Sequence, residues 1–201
     1  MTTRTAADLL LAAMDLFGAT LGQVETDADW WRPTPCADWD VRELVNHVVV
    51  ENLWVPPLFE GRAIEEVGDA LDGDQLGDDA RAAWSAASAA ARVAIGAPGA
   101  MERTVQLSFG RTPAHEYAMQ LFADHLVHAW DLGAALGHPP ELPADLVAAC
   151  AAWFEDEERG YREAGVIGPR PQLPDAVEGV EGADGTTTLL AMFGRTASWM
   201  P

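Results

Sequence analysis

The amino-acid sequence predicts an all-α protein, a bundle of four or five main helices. Apolar residues recur at three- and four-residue intervals through several long segments, the period of a helix with one buried face. Clusters of proline, glycine and aspartate separate those segments. One short stretch alternates with the period of a strand, too little for a sheet of its own.

The first helix is expected over 5–25, where Leu9, Ala13, Leu16, Phe17, Leu21 and Val24 share a stripe. Residues 30–39 contain Pro33, Pro35 and three tryptophans. Proline fixes φ and removes backbone donors, so this stretch reads as a loop whose tryptophans pack it onto the domain. Asp40 opens the second helix, with Glu43 completing a variant capping box, and that helix is expected to stop before Pro56 and Pro57. The Gly- and Asp-rich 60–77 read as a loop open to movement. An alanine-rich third helix covers 78–95, and GAPGA at 96–100 ends it.

Val105, Leu107 and Phe109 alternate with Thr104, Gln106 and Ser108, which predicts a short extended segment with one buried face, closed by Gly110. Thr112 and Pro113 suit the N-cap and first position of a long helix reaching 136, and Gly137 suits its C-terminal end. Beyond Pro139, Pro140 and Pro143 another helix covers 144–162. The Gly- and Pro-rich 165–184 is expected to form an ordered tail or lid, followed by a short helix at 187–193.

The 201 residues read as a single domain, 1–201, and 49% hydrophobic residues are enough for a core without staples. Cys36 and Cys150 are too few for a disulfide framework and read as reduced thiols of a cytoplasmic protein. The net charge is −20, with 32 acidic residues against 12 basic ones, every one of them arginine. Such a surface repels nucleic acid and anionic lipid, so neither is expected as a partner. No segment reaches the ~18 uninterrupted apolar residues of a membrane span. Asp8 and Asp15 interrupt the N-terminal apolar stretch, which reads as a helix of the mature protein and not as a secretory leader.

Of five histidines, His47, His125 and His128 sit well inside expected helices, whereas His115 and His138 lie near helix ends. Asp124 and His128 are four residues apart, so they project from one face with Cβ atoms about 5–6 Å apart. A carboxylate oxygen and an imidazole nitrogen at that spacing can reach one ion. An imidazole from a facing helix, such as His47, completes a set suited to Zn²⁺, or to Ni²⁺ or Fe²⁺. The spacing is equally that of a plain ion pair. His125 with His128 is a competing pair, directed about 100° around the helix from Asp124.

Three segments carry a resemblance. TPCADWDVRELVNHVV at 34–49 resembles the first signature of the DinB-like metal-binding proteins, in the branch related to mycothiol-dependent maleylpyruvate isomerase. ADHLVHAWDLGAALG at 123–137 resembles that branch's second signature, and LLAMFGRTASW at 189–199 its C-terminal Gly-Arg and tryptophan motif. The resemblance implies a four-helix bundle with a metal held between helices by His47, Asp124 and His128, choosing Asp124 over His125. Cys36 matches the family's loop cysteine and reads as a reactive or a structural thiol. Arg195 matches its terminal arginine and reads as an anion clamp or a tie for the tail. Glu51 is left as base, fourth ligand or solvated carboxylate, and Asp131 as a partner that orients a ligand or as an exposed helix charge.

Relatives in this branch catalyse isomerisation or transfer with mycothiol. The resemblance thus implies a divalent metal, mycothiol as co-substrate and an electrophilic small-molecule substrate, with a homodimer open to a helical bundle. The isomerase carries an additional C-terminal domain, and these 201 residues are expected to hold only the bundle and a tail. The expected function is therefore a metal-dependent small-thiol S-transferase or isomerase. The alternative is a non-catalytic metal- or ligand-binding module of stress or detoxification.

Overall fold

The computed structural model describes residues 4–173 and 184–201. It is all-α apart from one hairpin. In chain order the elements are α1 (Ala6–Leu21), α2 (Val41–Phe59), α3 (Ile64–Val67), α4 (Ala80–Ile95), β1 (Thr104–Leu107), β2 (Gly110–Pro113), α5 (Ala114–Leu136), α6 (Ala144–Glu163) and α7 (Gly185–Met192). Helices α1, α2, α4 and α5 form the bundle: α1 lies along α5, α2 along α4, and α2 against α5. Helix α6 packs against α5 and α7 on the outside of the bundle.

The stripe Leu10, Met14, Phe17 and Leu21 of α1 is buried, as its helical spacing requires. Thr5 caps α1 by accepting from Asp8 N, and Asp79 caps α4 through Ala82 N. Helix α5 is buried on nearly every side from Ala123 to Leu136, the mark of a central helix. It ends at Gly137, whose φ of 84° is left-handed and costs glycine nothing.

Four local expectations are corrected. Helix α2 continues through Pro56 and Pro57 to Phe59. Burial of Val55, Leu58 and Phe59 holds its last turn, and Arg103 donates to the Phe59 carbonyl at 2.8 Å. Thr112 is a strand residue paired with Val105 and caps nothing; the first helical amide, Ala114 N, donates instead to Arg103 O at 2.9 Å. Phe109 sits in the tight turn of the hairpin, which carries it off the buried face of Val105 and Leu107 and leaves it 73% exposed. Of the loop tryptophans, Trp30 and Trp39 pack against the core, but Trp31 lies in a 3₁₀ turn and is 67% exposed.

The 60–77 connection carries the one-turn α3 and is pinned to α2. Arg42 donates to Asp74 at 2.6 Å, and Asn46 exchanges hydrogen bonds with Gly73 O and Gln75 N. Within the expected tail or lid, Ile167 is buried, while 174–183 lie outside the described residues. No described helix is long and apolar enough to cross a membrane.

Candidate metal centre

The position of His47 begins with the cap of α2. Asp40 Oδ1 accepts from Glu43 N and Glu43 Oε2 from Asp40 N, both at 2.9 Å, the reciprocal box read from the sequence. That start buries Leu44, Val45 and Val48 and leaves His47 half-buried where α2 faces α5. On α5, Asp124 and His128 share the opposing face. Asp124 Oδ1 lies 3.1 Å from His47 Nε2 and 3.2 Å from His128 Nε2. The three donor atoms lie within 4.8 Å of one another, and the two imidazole rings stand edge to face at 76°.

Behind His128 a second layer fixes its orientation. Asp131 is fully buried and accepts the His128 Nδ1–H at Oδ2, 3.0 Å. That hydrogen bond leaves His128 Nε2 facing Asp124 Oδ1, the nitrogen a metal ion would take in place of a proton. Arg195 reaches the same Asp131 carboxylate, with Nη2–Oδ2 at 3.0 Å and Nε at 3.3 Å from both oxygens. Cys36 Sγ is 3.3 Å from Asp131 Oδ2 and accepts from Arg195 Nη2 at 3.2 Å. Asp131 is therefore a buried orienting partner and not an exposed helix charge. Arg195 ties the C-terminal segment to α5, and Cys36 is a half-buried member of this layer. Both cysteines are free thiols.

The electrostatics couple one buried carboxylate to two imidazoles. Burial alone would raise the Asp124 pKa, but the two imidazoles hold it well below the usual carboxylate range. Burial opposes charge on His47 and His128, yet Asp124 raises both, His128 strongly. Asp124 Oδ2 is buried and has no hydrogen-bond partner among the described residues. A buried carboxylate oxygen left unpaired beside two imidazoles is costly in a protein alone and is satisfied by a metal ion. Two imidazole nitrogens and one carboxylate oxygen suit Zn²⁺, and also Ni²⁺ or Fe²⁺, so the residues present fit a divalent cation.

The other histidines stand apart. His125 Nδ1–H donates to Leu121 O at 2.8 Å, and its Nε2 accepts from Asn52 Nδ2 at 2.9 Å. With both nitrogens engaged between Phe17 and Trp84, it is a neutral core residue, and burial pushes its pKa down to about 4. His115 and His138 are exposed.

The donor cluster opens into a cavity of about 800 Å³. Glu51 lines this cavity without joining the cluster, and burial, then the nearby Asp124 charge, push its pKa up to about 7. Trp39 leans over the imidazoles, its ring centroid 5.0 Å from that of His47 and 5.9 Å from that of His128. Tyr117, Trp153 and Tyr161 add aromatic wall. Tyr117 was detectable in the sequence, since it lies seven residues before Asp124 on one helical face. Trp153 and Tyr161 carried no such signal, because only the docking of α6 over the site brings them there.

Comparison with known proteins places this geometry in context. The family model described as the mycothiol maleylpyruvate isomerase N-terminal domain matches residues 10–133. Two uncharacterized proteins of Mycobacterium tuberculosis, from strains CDC 1551 / Oshkosh and ATCC 25618 / H37Rv, are each 34% identical over 156 residues, covering 74% of this chain and 79% of theirs. Among solved structures, the mycothiol-dependent maleylpyruvate isomerase superposes with a TM-score of 0.57 at 19% identity, covering 74% of this chain and 68% of that one. A histidine-to-alanine mutant of mycothiol-dependent maleylpyruvate isomerase superposes with the same TM-score at 17% identity and the same coverage. At those identities the superpositions establish a shared fold.

Proposed function

The chain belongs to the mycothiol maleylpyruvate isomerase N-terminal domain family, and from that premise we propose that it holds one divalent metal through His47, Asp124 and His128 and uses it in small-thiol chemistry. Mycothiol is the co-substrate this reading favours, and the reaction is transfer or isomerisation of an electrophilic small molecule. The reading takes 1–201 as one metal-binding domain working in the cytoplasm, with zinc the first candidate metal.

The observation that carries the proposal is the convergence of two imidazole nitrogens on one oxygen of a carboxylate whose second oxygen is buried and has no partner among the described residues. When bound, the ion supplies positive charge that lowers a thiol's pKa and favours its thiolate. The chain's own residues do the rest. Asp131, held by Arg195, keeps the His128 Nδ1–H engaged and fixes the ring. Trp39 covers the imidazoles and keeps water from that side. Glu51 stands on the cavity wall, where its carboxylate is placed to accept the proton a thiol gives up.

The test is spectroscopic. Cobalt-substituted protein is expected to change its visible spectrum on addition of mycothiol, and the His128→Ala variant is expected to show no cobalt spectrum. Absence of any shift with mycothiol, N-acetylcysteine or glutathione in cobalt-loaded protein would refute the thiol reading.

A further inference from the structure

The thiol-transfer reading leaves the second substrate undefined, and the charge of the cavity wall narrows it. The chain contains no lysine, so its only fixed cations are 12 arginines. Among the described residues just one of these, Arg195, lines the cavity. Residues 174–183 contain no arginine and add none. Arg195 is not available to a ligand: Asp131 takes its Nε and Nη2, the Phe193 carbonyl takes Nη1 at 2.7 Å, and Cys36 Sγ accepts from Nη2. The wall instead carries the carboxyls of Glu51 and Asp124. A divalent ion held by His47, Asp124 and His128 would have its two positive charges offset by Asp124 and one thiolate, and would leave no net charge to hold a further anion. A net charge of −20 sets the surrounding field against anions as well. What the wall does offer is the aromatic and apolar surface of Trp39, Trp153, Tyr161, Val127, Val166 and Phe193. At about 800 Å³ the space suits a small thiol together with a ring-sized partner.

We infer that the electrophile this cavity accepts is an uncharged molecule with an apolar, aromatic-sized body, and that carboxylic acids are rejected. The inference rests on the proposed thiol chemistry for its context, but binding selectivity tests it separately. Reaction with an uncharged aryl chloride illustrates the balance. The sulfur–aryl carbon bond forms, chloride leaves with its electron pair, and the thiol proton passes to Glu51 and from there to the solvent.

The experiment uses the whole chain as purified and two matched pairs of probes. Quenching of tryptophan fluorescence compares methyl 3,5-dinitrobenzoate with 3,5-dinitrobenzoate, which differ in charge and not in body. The ester is expected to bind roughly tenfold more tightly, the size of one moderately screened like-charge contact. Gln120→Arg, which adds a cation to the same wall one helical turn before Asp124, is expected to close that gap. An ester preference below about threefold, an ester that does not quench, or a Gln120→Arg variant with unchanged preference would each overturn the inference. Turnover with mycothiol is then compared for methyl 4-chloro-3,5-dinitrobenzoate and its free acid, each relative to its uncatalysed rate, and the ester is expected to show the larger enhancement. Ester-selective binding without turnover of either compound leaves the inference standing and refutes the thiol-transfer reading alone. Faster relative turnover of the acid overturns the inference.

Discussion

Replacing Asp131 by asparagine removes one charge and keeps the shape. In the native protein the carboxylate is fully buried, receives His128 Nδ1–H and Arg195 Nη2 at 3.0 Å each, and has Cys36 Sγ 3.3 Å away. Asparagine leaves the Arg195 guanidinium, itself largely buried, without its counter-charge. Removing one partner of a buried ion pair costs about 3–5 kcal/mol, because the remaining charge stays desolvated. For a chain of this length each kcal/mol corresponds to roughly 2–4 °C, so a melting temperature lowered by about 6–20 °C is expected. The same substitution loosens His128, and losing such an orienting partner typically weakens metal binding about 10–100-fold. Calorimetric melting of chelated protein reads the first effect, and competition with a chromogenic zinc chelator reads the second. Burial would raise the Asp131 pKa, but Arg195 holds it below the usual value. The stabilisation is therefore complete above the unfolded-state carboxylate range and is lost as pH falls through the lower folded value. The stability gap between wild type and variant should accordingly narrow in acid. A variant that melts with the wild type and binds zinc equally well would refute this account of Asp131.

Two further outcomes are expected. His125 has a folded pKa of about 4, below the roughly 6.5 of an unfolded histidine, so protonation favours the unfolded chain. In chelated Glu51→Gln protein, which removes the opposite pH dependence of a glutamate whose folded pKa is about 7, stability should fall by roughly 3 kcal/mol between pH 6.5 and pH 4, with a urea titration series as the check. A flat profile through that window would contradict the neutral core role. In Gly133→Ala the added Cβ would sit 2.4 Å from Pro140 Cδ and 2.9 Å from His138 O, at the tight return after α5. A loss of about 1–3 kcal/mol in chemical denaturation is expected, and an unchanged midpoint would show that this connection yields freely.

The helices were largely legible in the sequence because their apolar stripes, caps and terminal glycines act locally. Asp40 with Glu43 and Gly137 behave as their sequence positions imply. Expectations failed where tertiary packing outweighs local preference: Pro56 and Pro57 inside α2, and Thr112 drawn into a strand. The proposed donors were half legible. The four-residue spacing of Asp124 and His128 was visible, but it did not exclude the His125–His128 pair. Resemblance favoured Asp124, and the structure supplies a physical reason, since Asn52 and Leu121 O already engage both His125 nitrogens. The buried state of Asp131 and the commitment of Arg195 to it join residues 64 positions apart, a contact no local pattern encodes.

The decisive measurement is the metal content of protein purified without a metal-affinity tag, set beside that of Asp124→Ala, by elemental mass spectrometry. The expected result is about one divalent ion per chain in the wild type and almost none in the variant, with both folded by circular dichroism. Wild-type protein that stays metal-free after incubation with zinc, or an Asp124→Ala variant that retains the full complement, would contradict the proposal that His47, Asp124 and His128 hold an ion together.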